Sequence, residues 1–553
     1  MCTVGKAEVI LTGGQIFTGS GQPVTGKAVI VAAGRILDIV PDSAIEVYRN
    51  SETRVIELDG KLVAPGFQDA HVHPVAAGVE LLQCTLTEAV DADDTLARIA
   101  TYAAENPEGW ICGGGWSMDH FPNGSPARQL LDDVIGDRPV MLSSRDHHSV
   151  WASTAAIRAA GLDASTPDPA DGRIEREADG FPAGTFHEGA GNSFASVVPE
   201  IDDELTYAGL LRAQEELLKL GITGWQDAMI GDKVPTLPSN LPAYRRALDE
   251  GTLLAHVVGA QWWERERGRD QIPEMLERRA EIAAIGSDRL QLGTVKIMVD
   301  GVAENFTAAM NEPYLDAHGH DTTNSGLSFI DPALLNGYVA ELDREGFQVH
   351  FHSLGDRAVK EALDALETAR LANGATDGRH HLAHLQVVSE EDTARFAPLD
   401  AVANLQPLWA CHEAQLDELT LPFMQKNLAE RQYPFGDLLR HHAKLAAGSD
   451  WPVSSADPIA GIHMAVNRVV PESDNVPLAG EQQCLDLATA FAAYTSGSAY
   501  VNHRDHDTGS IAAGYRADFV VIEPNPFDVP REEIYRSTVV STWIDGVEVY
   551  STN

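Results

Sequence analysis

Residues 63–74 read V-A-P-G-F-Q-D-A-H-V-H-P, a short apolar strand that ends on His71 and His73. Alternate side chains of an extended strand point to the same face, so the two imidazoles project together, as the binding of one metal ion requires. Pro74 donates no amide hydrogen and cannot extend a central ladder, which places the pair at the carboxyl end of the strand. In an α/β barrel that end carries the chemistry. Paired histidines are also common in protein cores and on surfaces, so the rest of the chain decides the interpretation.

The middle of the chain alternates strand-like and helix-like segments, a pattern typical of parallel β/α units. Apolar residues recur at helical spacing in residues 203–220, 333–345 and 357–373. The candidate strands are Val140–Leu142, Gly224–Asp227, Leu253–Val258, Gly293–Val299, Phe347–His352, Arg379–His384, Ala401–Leu405 and Leu445–Ser449. Eight or so such units predict an α/β fold built on a TIM-type (β/α)8 barrel.

Both ends of the chain contain short strand-like segments separated by turns such as Gly13-Gly14 and Asp545-Gly546. Two half-sets of strands at opposite ends of a chain can form one domain. We therefore predict a β-sandwich domain built from residues 1–62 and 491–553, with the barrel at residues 63–490 between them. Residues 76–200, approximately, are too long for one βα connection and are interpreted as an insertion beside the site.

Composition limits the classes of partner. The 553 residues include 40 basic and 82 acidic side chains, a net charge of −42, which argues against nucleic acid or an anionic membrane as partner. The five scattered cysteines contain no C-x-x-C motif and fit a reducing compartment. We expect a cytoplasmic protein that acts on a small molecule, and a homodimer is a candidate oligomeric state.

Four further strand ends hold residue types that bind metals. Lys296 lies within the apolar strand before Asp300-Gly301, and His352, His384 and Asp450 each end a later strand. Each has an ordinary explanation on its own, because lysines snorkel from edge strands, histidines pack in cores and aspartates cap helices. Their order along the chain, H-x-H followed by Lys, His, His and Asp, favours one shared metal site.

In this order the sequence resembles the amidohydrolase superfamily, and closely its amidohydrolase-3 branch, which includes N-substituted formamide deformylases. The matching motifs are P-G-F-x-D-x-H-x-H at 65–73, V-K-I-x-x-D-G at 295–301, H-x-x-G-D-R-A at 352–358, H-L-A-H at 381–384 and G-S-D-x-P-V at 448–453. Residues 146–149 and 171–188 of the insertion are also similar to that branch. The resemblance covers essentially the whole chain.

The resemblance implies two divalent metal ions at the barrel mouth. The H-x-H pair and Asp450 hold one ion, and His352 and His384 hold the other. Lys296 bridges both after its amine reacts with carbon dioxide to form a carbamate. Zinc is the first candidate metal, with iron, manganese and cobalt left open. The implied metal ligands are His71, His73, Lys296, His352, His384 and Asp450.

The implied reaction is hydrolysis of an amide-type C–N bond by metal-activated hydroxide. Besides the bridging Lys296, the catalytic residues are Asp450, which transfers the proton to the leaving amine, and His148. His148, Trp116 and Glu188 are the candidate substrate contacts. Three alternatives stay open: a mononuclear deaminase in which Lys296 is unmodified, another hydrolase or a decarboxylase on the same site, and a metal-binding homologue without catalytic activity.

Overall fold

The computed structural model of the protein describes residues 6–231, 233–234 and 237–552. Its centre is a sheet of eight parallel strands, each hydrogen-bonded to the next in chain order. The strands are β1 (Phe67–Val72), β2 (Ile222–Ile230), β3 (His256–Trp262), β4 (Leu290–Met298), β5 (Gln348–Ser353), β6 (His381–His384), β7 (Val402–Leu405) and β8 (Lys444–Ala447). The sheet is nearly closed into a barrel, and the predicted fold class is confirmed.

Hydrogen bonds near the carboxyl end of β1 close the barrel. The main-chain N–H of Asp450, just after β8, donates to the carbonyl oxygen of His71 at 2.7 Å. The side-chain amide of Asn404 on β7 donates to the carbonyl oxygen of Ala70 at 2.9 Å. The first and last strands therefore meet where the two motif histidines emerge.

One predicted strand lies outside the barrel. The segment predicted at Val140–Leu142 forms the strand Val140–Ser144, which pairs with Ile111–Trp116 and Ser149–Ala152 in a separate sheet. The strand that completes the barrel is β1 itself. The prediction was wrong because an apolar run of this length looks the same in either sheet.

Helices cover the outside of the barrel and bury an apolar face against its strands. Several begin at an aspartate whose carboxylate accepts a main-chain N–H, as Asp202 does from Leu205 at 2.8 Å. The α-helices are Pro74–Leu81, Ala92–Glu105, Arg128–Ile135, Thr154–Ala159, Asp203–Lys219, Leu241–Asp249, Ile272–Ile285, Pro332–Arg344, Asp356–Asn373, Glu390–Thr393, Phe396–Leu399, Ala414–Leu419, Lys426–Ala429, Phe435–Arg440, Pro458–Asn467, Leu487–Ala492 and Ser498–Val501.

Across the described residues, no helix combines the length and the apolar character needed to span a membrane. Short 3-10 turns occur at Asp42–Val47, Met118–His120, Pro122–Gly124, Gly189–Phe194, Gly268–Gln271, Pro407–Trp409, Leu421–Phe423, Glu481–Gln483 and Arg531–Arg536, with a π turn at Ala493–Gly497. Cys84, Cys112, Cys411 and Cys484 are free thiols, and Cys2 lies outside the described residues.

Two sheets built from both ends of the chain pack face to face. One has the strand order Arg35–Pro41, Lys27–Ala32, Val9–Thr12, Arg54–Glu57, and the other has the order Val547–Ser551, Thr538–Ile544, Phe519–Glu523, Leu62–Pro65, Gln15–Ile16, Val24–Thr25. Their apolar faces share a core that includes Leu11, Val31, Val63, Phe519 and Trp543. This is the two-layer packing of a β-sandwich.

Both edges of the sandwich differ from the predicted boundaries at 62 and 490. Leu62–Pro65 pairs with Phe519–Glu523, so this strand belongs to the sandwich. Residues 487–501 pack on the barrel instead, where the Ser498 hydroxyl donates to the carbonyl oxygen of Ala447 at 2.9 Å. An apolar strand and a short helix carry no sequence signal for which of two adjacent cores they join.

The insertion forms its own sheet beside the barrel mouth. Its strand order is Gly172–Arg176, Pro182–Glu188, Ser149–Ala152, Val140–Ser144, Ile111–Trp116, Cys84–Thr85. Separate apolar clusters lie on its two sides. The sheet brings His148 and Glu188 to the barrel mouth. A further two-stranded pair, Lys233–Val234 with Leu237–Pro238, follows β2.

Ion pairs join the sandwich to the opposite end of the barrel. Arg516 of the sandwich contacts Asp545 Oδ1 at 2.7 Å and Asp507 Oδ2 at 2.9 Å, and it also pairs with Asp288 just before β4. In return, Arg289 of the barrel pairs with Asp545. The two arginines together pair with three carboxylates at the junction.

We expect Arg516→Met to destabilise the protein by about 1–3 kcal/mol, because it leaves partly buried carboxylates without their cation. Urea and thermal unfolding measure the effect. The matched control is Arg531→Met, whose partner Glu481 is exposed and whose loss should cost under about 0.5 kcal/mol. Equal effects of the two substitutions would show that the junction pairs contribute no more than a surface pair.

Candidate metal centre

Three ligand-type atoms converge where β1 meets the segment after β8. The Nε2 atoms of His71 and His73 each lie 3.0 Å from Oδ1 of Asp450, and the three ligand atoms lie within 4.8 Å of one another. Two imidazole nitrogens and a carboxylate oxygen are a donor set typical of a divalent transition metal. The residues present therefore fit a metal ion at this position.

The backbone segments that carry these ligands are held together by the buried Asp69 carboxylate and by the close packing of Gly448 against His71. Asp69 Oδ1 accepts the main-chain N–H of His71 at 2.9 Å and that of Ser449 at 3.0 Å. A Cβ atom at Gly448 would lie 2.6 Å from the main-chain nitrogen of His71, so only glycine fits. Asp450 itself has φ = 56°, a left-handed conformation that is costly for a non-glycine residue and typical of functional sites.

A second pair of histidines lies beside the first group. The rings of His352 and His384 are 4.4 Å apart between centroids, and the His384 ring is 4.7 Å from that of His71. His384 is buried, and neither of its ring nitrogens has a hydrogen-bond partner among the described residues. Such orphaned nitrogens are expensive in a protein interior, and a metal ion would satisfy one of them.

Lys296 projects into the same space from β4. Its side chain is 1% exposed, and its Nζ lies 3.4 Å from Nε2 of His71. Within the described chain no carboxylate lies in salt-bridge range of this amine. Burial lowers the pKa of Lys296 to about 7, so a large fraction of the amine is neutral near neutral pH.

His71 and Asp450 have the protonation states that metal binding requires. Burial and then the nearby Lys296 lower the pKa of His71 to about 3. Burial alone would raise the pKa of Asp450, but His71, His73 and His384 outweigh it and hold that pKa well below its usual range. Neutral imidazoles and an ionised carboxylate are the ligand forms of these side chains.

The insertion contributes a histidine–carboxylate pair at the rim. Nδ1 of His148 lies 2.9 Å from Oε2 of Glu188, and the Thr307 hydroxyl donates to the other Glu188 oxygen at 2.7 Å. Burial lowers the pKa of His148, but the nearby Glu188 carboxylate more than offsets this effect, and the pKa is raised to about 9. His148 is therefore a cation at neutral pH, and its ring lies 5.7 Å from that of His352.

A cavity of about 180 Å³ contains this set of side chains. Its lining includes all six implied metal ligands together with His148 and Glu188. A larger cavity of about 640 Å³ adjoins it and shares Asp146, Pro452 and Val453 with it. Aromatic side chains of Trp409, Tyr433 and Trp451 line the larger space. Charged side chains, among them Arg145 and Glu413, line it as well, so the site has a small chamber beside a wide one of mixed character.

Trp116 does not reach either cavity. It is fully buried in the core of the insertion, and its indole N–H donates to the carbonyl oxygen of Leu142 at 2.9 Å. The expectation that Trp116 contacts substrate is therefore wrong. An indole beside a Gly-Gly-Gly segment gives no indication of which face of its strand is covered.

Two residues that border the site were not among the predicted site residues. Trp409 stacks on the His384 ring at 5.2 Å between centroids and 9° between planes. His147 lines the small cavity, and its Nε2 lies 3.3 Å from Oε2 of Glu80. Trp409 follows the carboxyl end of β7 by four residues, and this strand-end position was the signal available in the sequence.

A second group of ligand-type side chains lies at the junction with the sandwich. His256, Asp518 and Asp545 bring their ligand atoms within 4.8 Å of one another. Arg289 pairs with Asp545, and the Arg504 guanidinium donates to Nδ1 of His256 at 2.8 Å. Guanidinium groups already supply the positive charge there, so the group is an ion-pair cluster.

Comparison with known proteins agrees with the geometry. The family model described as "Amidohydrolase family" matches residues 54–550. The chain belongs to the amidohydrolase family. The match includes the barrel, the insertion and five of the ten sandwich strands that the structure describes. The ligand-type residues described above therefore lie at the mouth of an amidohydrolase barrel.

Similar proteins span nearly the full length of this amidohydrolase. Protein LONG AFTER FAR-RED 3 of Arabidopsis thaliana is 29% identical, over 98% of this chain and 92% of its own. An N-substituted formamide deformylase of Arthrobacter pascens is 27% identical, over 98% of each chain. The fold is similar to that of an uncharacterised metal-dependent hydrolase of Pyrococcus horikoshii, with a TM-score of 0.71, 24% identity, and coverage of 95% of this chain and 99% of the other.

We expect Gly448→Ala to weaken metal binding by about 10–100-fold, because the added methyl group displaces the backbone of His71. Chelator competition measures the affinity. The matched control is Gly293→Ala on β4, where a Cβ atom meets nothing within 4 Å. A Gly448→Ala protein with the affinity of the control would show that His71 tolerates the displacement.

Proposed function

We propose that this amidohydrolase is a metal-dependent hydrolase that cleaves the amide-type C–N bond of a small molecule. The observation that carries the proposal is the convergence of His71, His73 and Asp450 beside the buried amine of Lys296. Burying a lysine without a carboxylate partner costs free energy, and residues of this kind cluster at functional sites.

Six side chains would hold two divalent ions. The three converging ligands would take one ion, and His352 and His384 the other, with zinc the first candidate. Lys296 would bridge them as a carbamate. The neutral amine attacks carbon dioxide, a C–N bond forms, and the nitrogen releases one proton to leave an anionic carboxylate. A cationic lysine would repel the ions, whereas the carbamate attracts both. When bound, the ions lower the pKa of water and polarise the scissile carbonyl.

The protein's own residues handle protons and orientation. Asp450 is ionised and in contact with the ligand set, so it can accept a proton from attacking water and pass it to the leaving nitrogen. The Nδ1 of His148 is engaged by Glu188, which leaves its other N–H to donate to the substrate oxygen as negative charge develops there. Glu188 would keep His148 protonated and oriented.

The two cavities support an N-substituted amide as substrate. The small chamber has room for a formyl or short acyl group next to the ligand set, and the larger chamber, with both aromatic and charged side chains in its walls, can receive the substituent on nitrogen. The name of the Arthrobacter relative, N-substituted formamide deformylase, points to the same class. N-formyl and N-acyl amines are therefore the first compounds to screen.

A mononuclear deaminase is the second candidate, because at the barrel mouth, among the described residues, only His71, His73 and Asp450 bring their ligand atoms within 4.8 Å of one another. In that case His352 would complete the site and Lys296 would stay unmodified. We also propose a small-molecule substrate and a cytoplasmic location, because a net charge of −42 repels nucleic acid and anionic lipid. A homodimer is proposed as the oligomeric state to test first.

We expect Lys296→Ala to lower the metal content from about two ions per chain to one or none, with loss of amide hydrolysis. Removing the bridge leaves two cations facing each other. Elemental analysis and an N-formyl amine assay measure both effects. Lys444→Ala, at an exposed lysine of β8, is the control. Unchanged metal content and rate in Lys296→Ala would contradict the bridging role.

We expect Asp450→Asn to lower kcat by about 10²–10⁴-fold, as the loss of a general acid–base group does. Steady-state kinetics on protein with verified metal content measure the effect, and Asp474→Asn at an exposed position is the control. A near-normal kcat at full metal content would assign proton transfer to another group, with His148 the next to test.

A further inference from the structure

A chain of hydrogen bonds runs through the barrel interior beneath the ligand set. Nδ1 of His71 lies 2.7 Å from Nε2 of His350 on β5, and Nδ1 of His350 lies 2.7 Å from Oε1 of Gln226 on β2. The same Gln226 oxygen lies 2.9 Å from Nε2 of His381 on β6. All four side chains are at most 1% exposed. Four different strands therefore share one polar network.

Main-chain carbonyls fix the orientation of the two buried amides in this network. The Nε2 of Gln348 lies 2.8 Å from the carbonyl oxygen of Arg379 and 2.7 Å from that of Val501, and carbonyl oxygens only accept. The other Gln348 atom is therefore Oε1, and the Gln226 atom 3.1 Å away must be its NH2 group. The Gln226 atom that faces both histidines is then an oxygen, which only accepts.

The direction of each hydrogen bond follows from that oxygen. His350 must carry its hydrogen on Nδ1 to donate to Gln226, so its Nε2 is an acceptor in the neutral ring. His71 must then donate from Nδ1 to His350, which leaves the lone pair of its Nε2 facing the site. That lone pair lies 3.0 Å from Oδ1 of Asp450. Two acceptors this close repel each other unless a cation or a donor lies beside them, and the Lys296 amine, 3.4 Å from the same nitrogen, is one such donor.

A second series of hydrogen bonds connects the same network to the backbone of β1. His381 donates from Nε2 to Gln226, so its Nδ1 accepts from the Asn404 amide at 3.1 Å. That amide also donates to the carbonyl oxygen of Ala70, the residue before His71. An amide oxygen cannot pass a proton onward as an imidazole does, so the network orients His71 and does not relay protons from it.

We propose that Gln226 and His350 are positioning residues that hold His71 in the Nδ1–H form and so make Nε2 its metal-binding atom. The orientation of the network is set by the carbonyl oxygens of Arg379 and Val501, which accept hydrogen bonds from the Gln348 amide and fix its orientation. The metal-binding consequence rests on the proposed function. The orientation of the network does not, because it follows from contacts within the protein.

Two substitutions at His350 test the proposal. His350→Phe keeps an aromatic ring but removes the acceptor for His71, and we expect metal affinity to fall by about 10–100-fold. His350→Gln replaces the acceptor with an amide oxygen and keeps an N–H for Gln226, so most of the affinity should return. Chelator competition with zinc measures the affinity. Equal affinity in wild type and His350→Phe would overturn the proposal.

A second pair of substitutions distinguishes a specific effect on metal binding from general destabilisation of the protein. Gln226→Met removes the shared acceptor, and Gln261→Met removes a buried amide of the neighbouring strand that donates to the carbonyl oxygens of Met275 and Leu292. We expect weaker zinc binding in Gln226→Met alone. Equal affinity losses in the two proteins would show that Gln226 serves general stability, and would overturn the proposal.

Nitrogen-15 spectra of histidine separate this proposal from the proposed function. In metal-free wild type, His350 should show a hydrogen-bonded Nδ1–H that Gln226→Met lacks. In zinc-loaded protein, His71 should show a protected Nδ1–H that survives in His350→Gln and exchanges in His350→Phe. Hydrogen on Nε2 of His350 would overturn the positioning role. Wild type that binds no divalent metal would instead overturn the proposed function.

Discussion

The closure of the barrel between β1 and β8 is the contact on which the site depends. It brings the side chains of His71 and His73 to Asp450, and the backbone bond from Asp450 to His71 holds them in register. Most of the resulting cluster is buried, so an unpaired charge there is costly. Burial favours a neutral Lys296, while the histidines keep Asp450 ionised. These are the protonation states in which the group binds cations.

Strand-end positions made much of this site predictable. His71, His73, Lys296, His352, His384 and Asp450 each lie at or near the carboxyl end of a parallel strand, and a barrel gathers such ends. Strand spacing at both ends of the chain likewise indicated strands there, which the structure places in two facing sheets. Gln226, Gln348 and Asn404 gave no signal, because a polar residue inside an apolar strand has no defined partner until the register is known. Trp116 and Val140–Leu142 were misassigned for a related reason. An apolar run in the sequence does not indicate which of its faces is buried or which sheet the strand joins.

The division of labour in this amidohydrolase follows its architecture. Rigid strands carry the ligand set and the hydrogen-bond network below it, whereas the insertion and the loops after the strands form the walls of the two cavities. His148 lies just before the strand Ser149–Ala152 and Glu188 ends the strand Pro182–Glu188, and the pairing of these two strands brings the side chains together. In the proposed hydrolase, substitutions in these walls would change the substrate while the ligand set stays in place. The N-substituted amides proposed here follow from the shape of the walls and the family, not from the ligand set alone.

Anomalous X-ray diffraction from crystals grown with zinc and bicarbonate would show how many ions the site binds and whether Lys296 is modified. We expect two zinc peaks, one beside His71, His73 and Asp450 and one beside His352 and His384, with added density on Nζ of Lys296 that joins them. A single peak with an unmodified Lys296 amine would contradict the bridged site and favour the mononuclear reading of the same ligands.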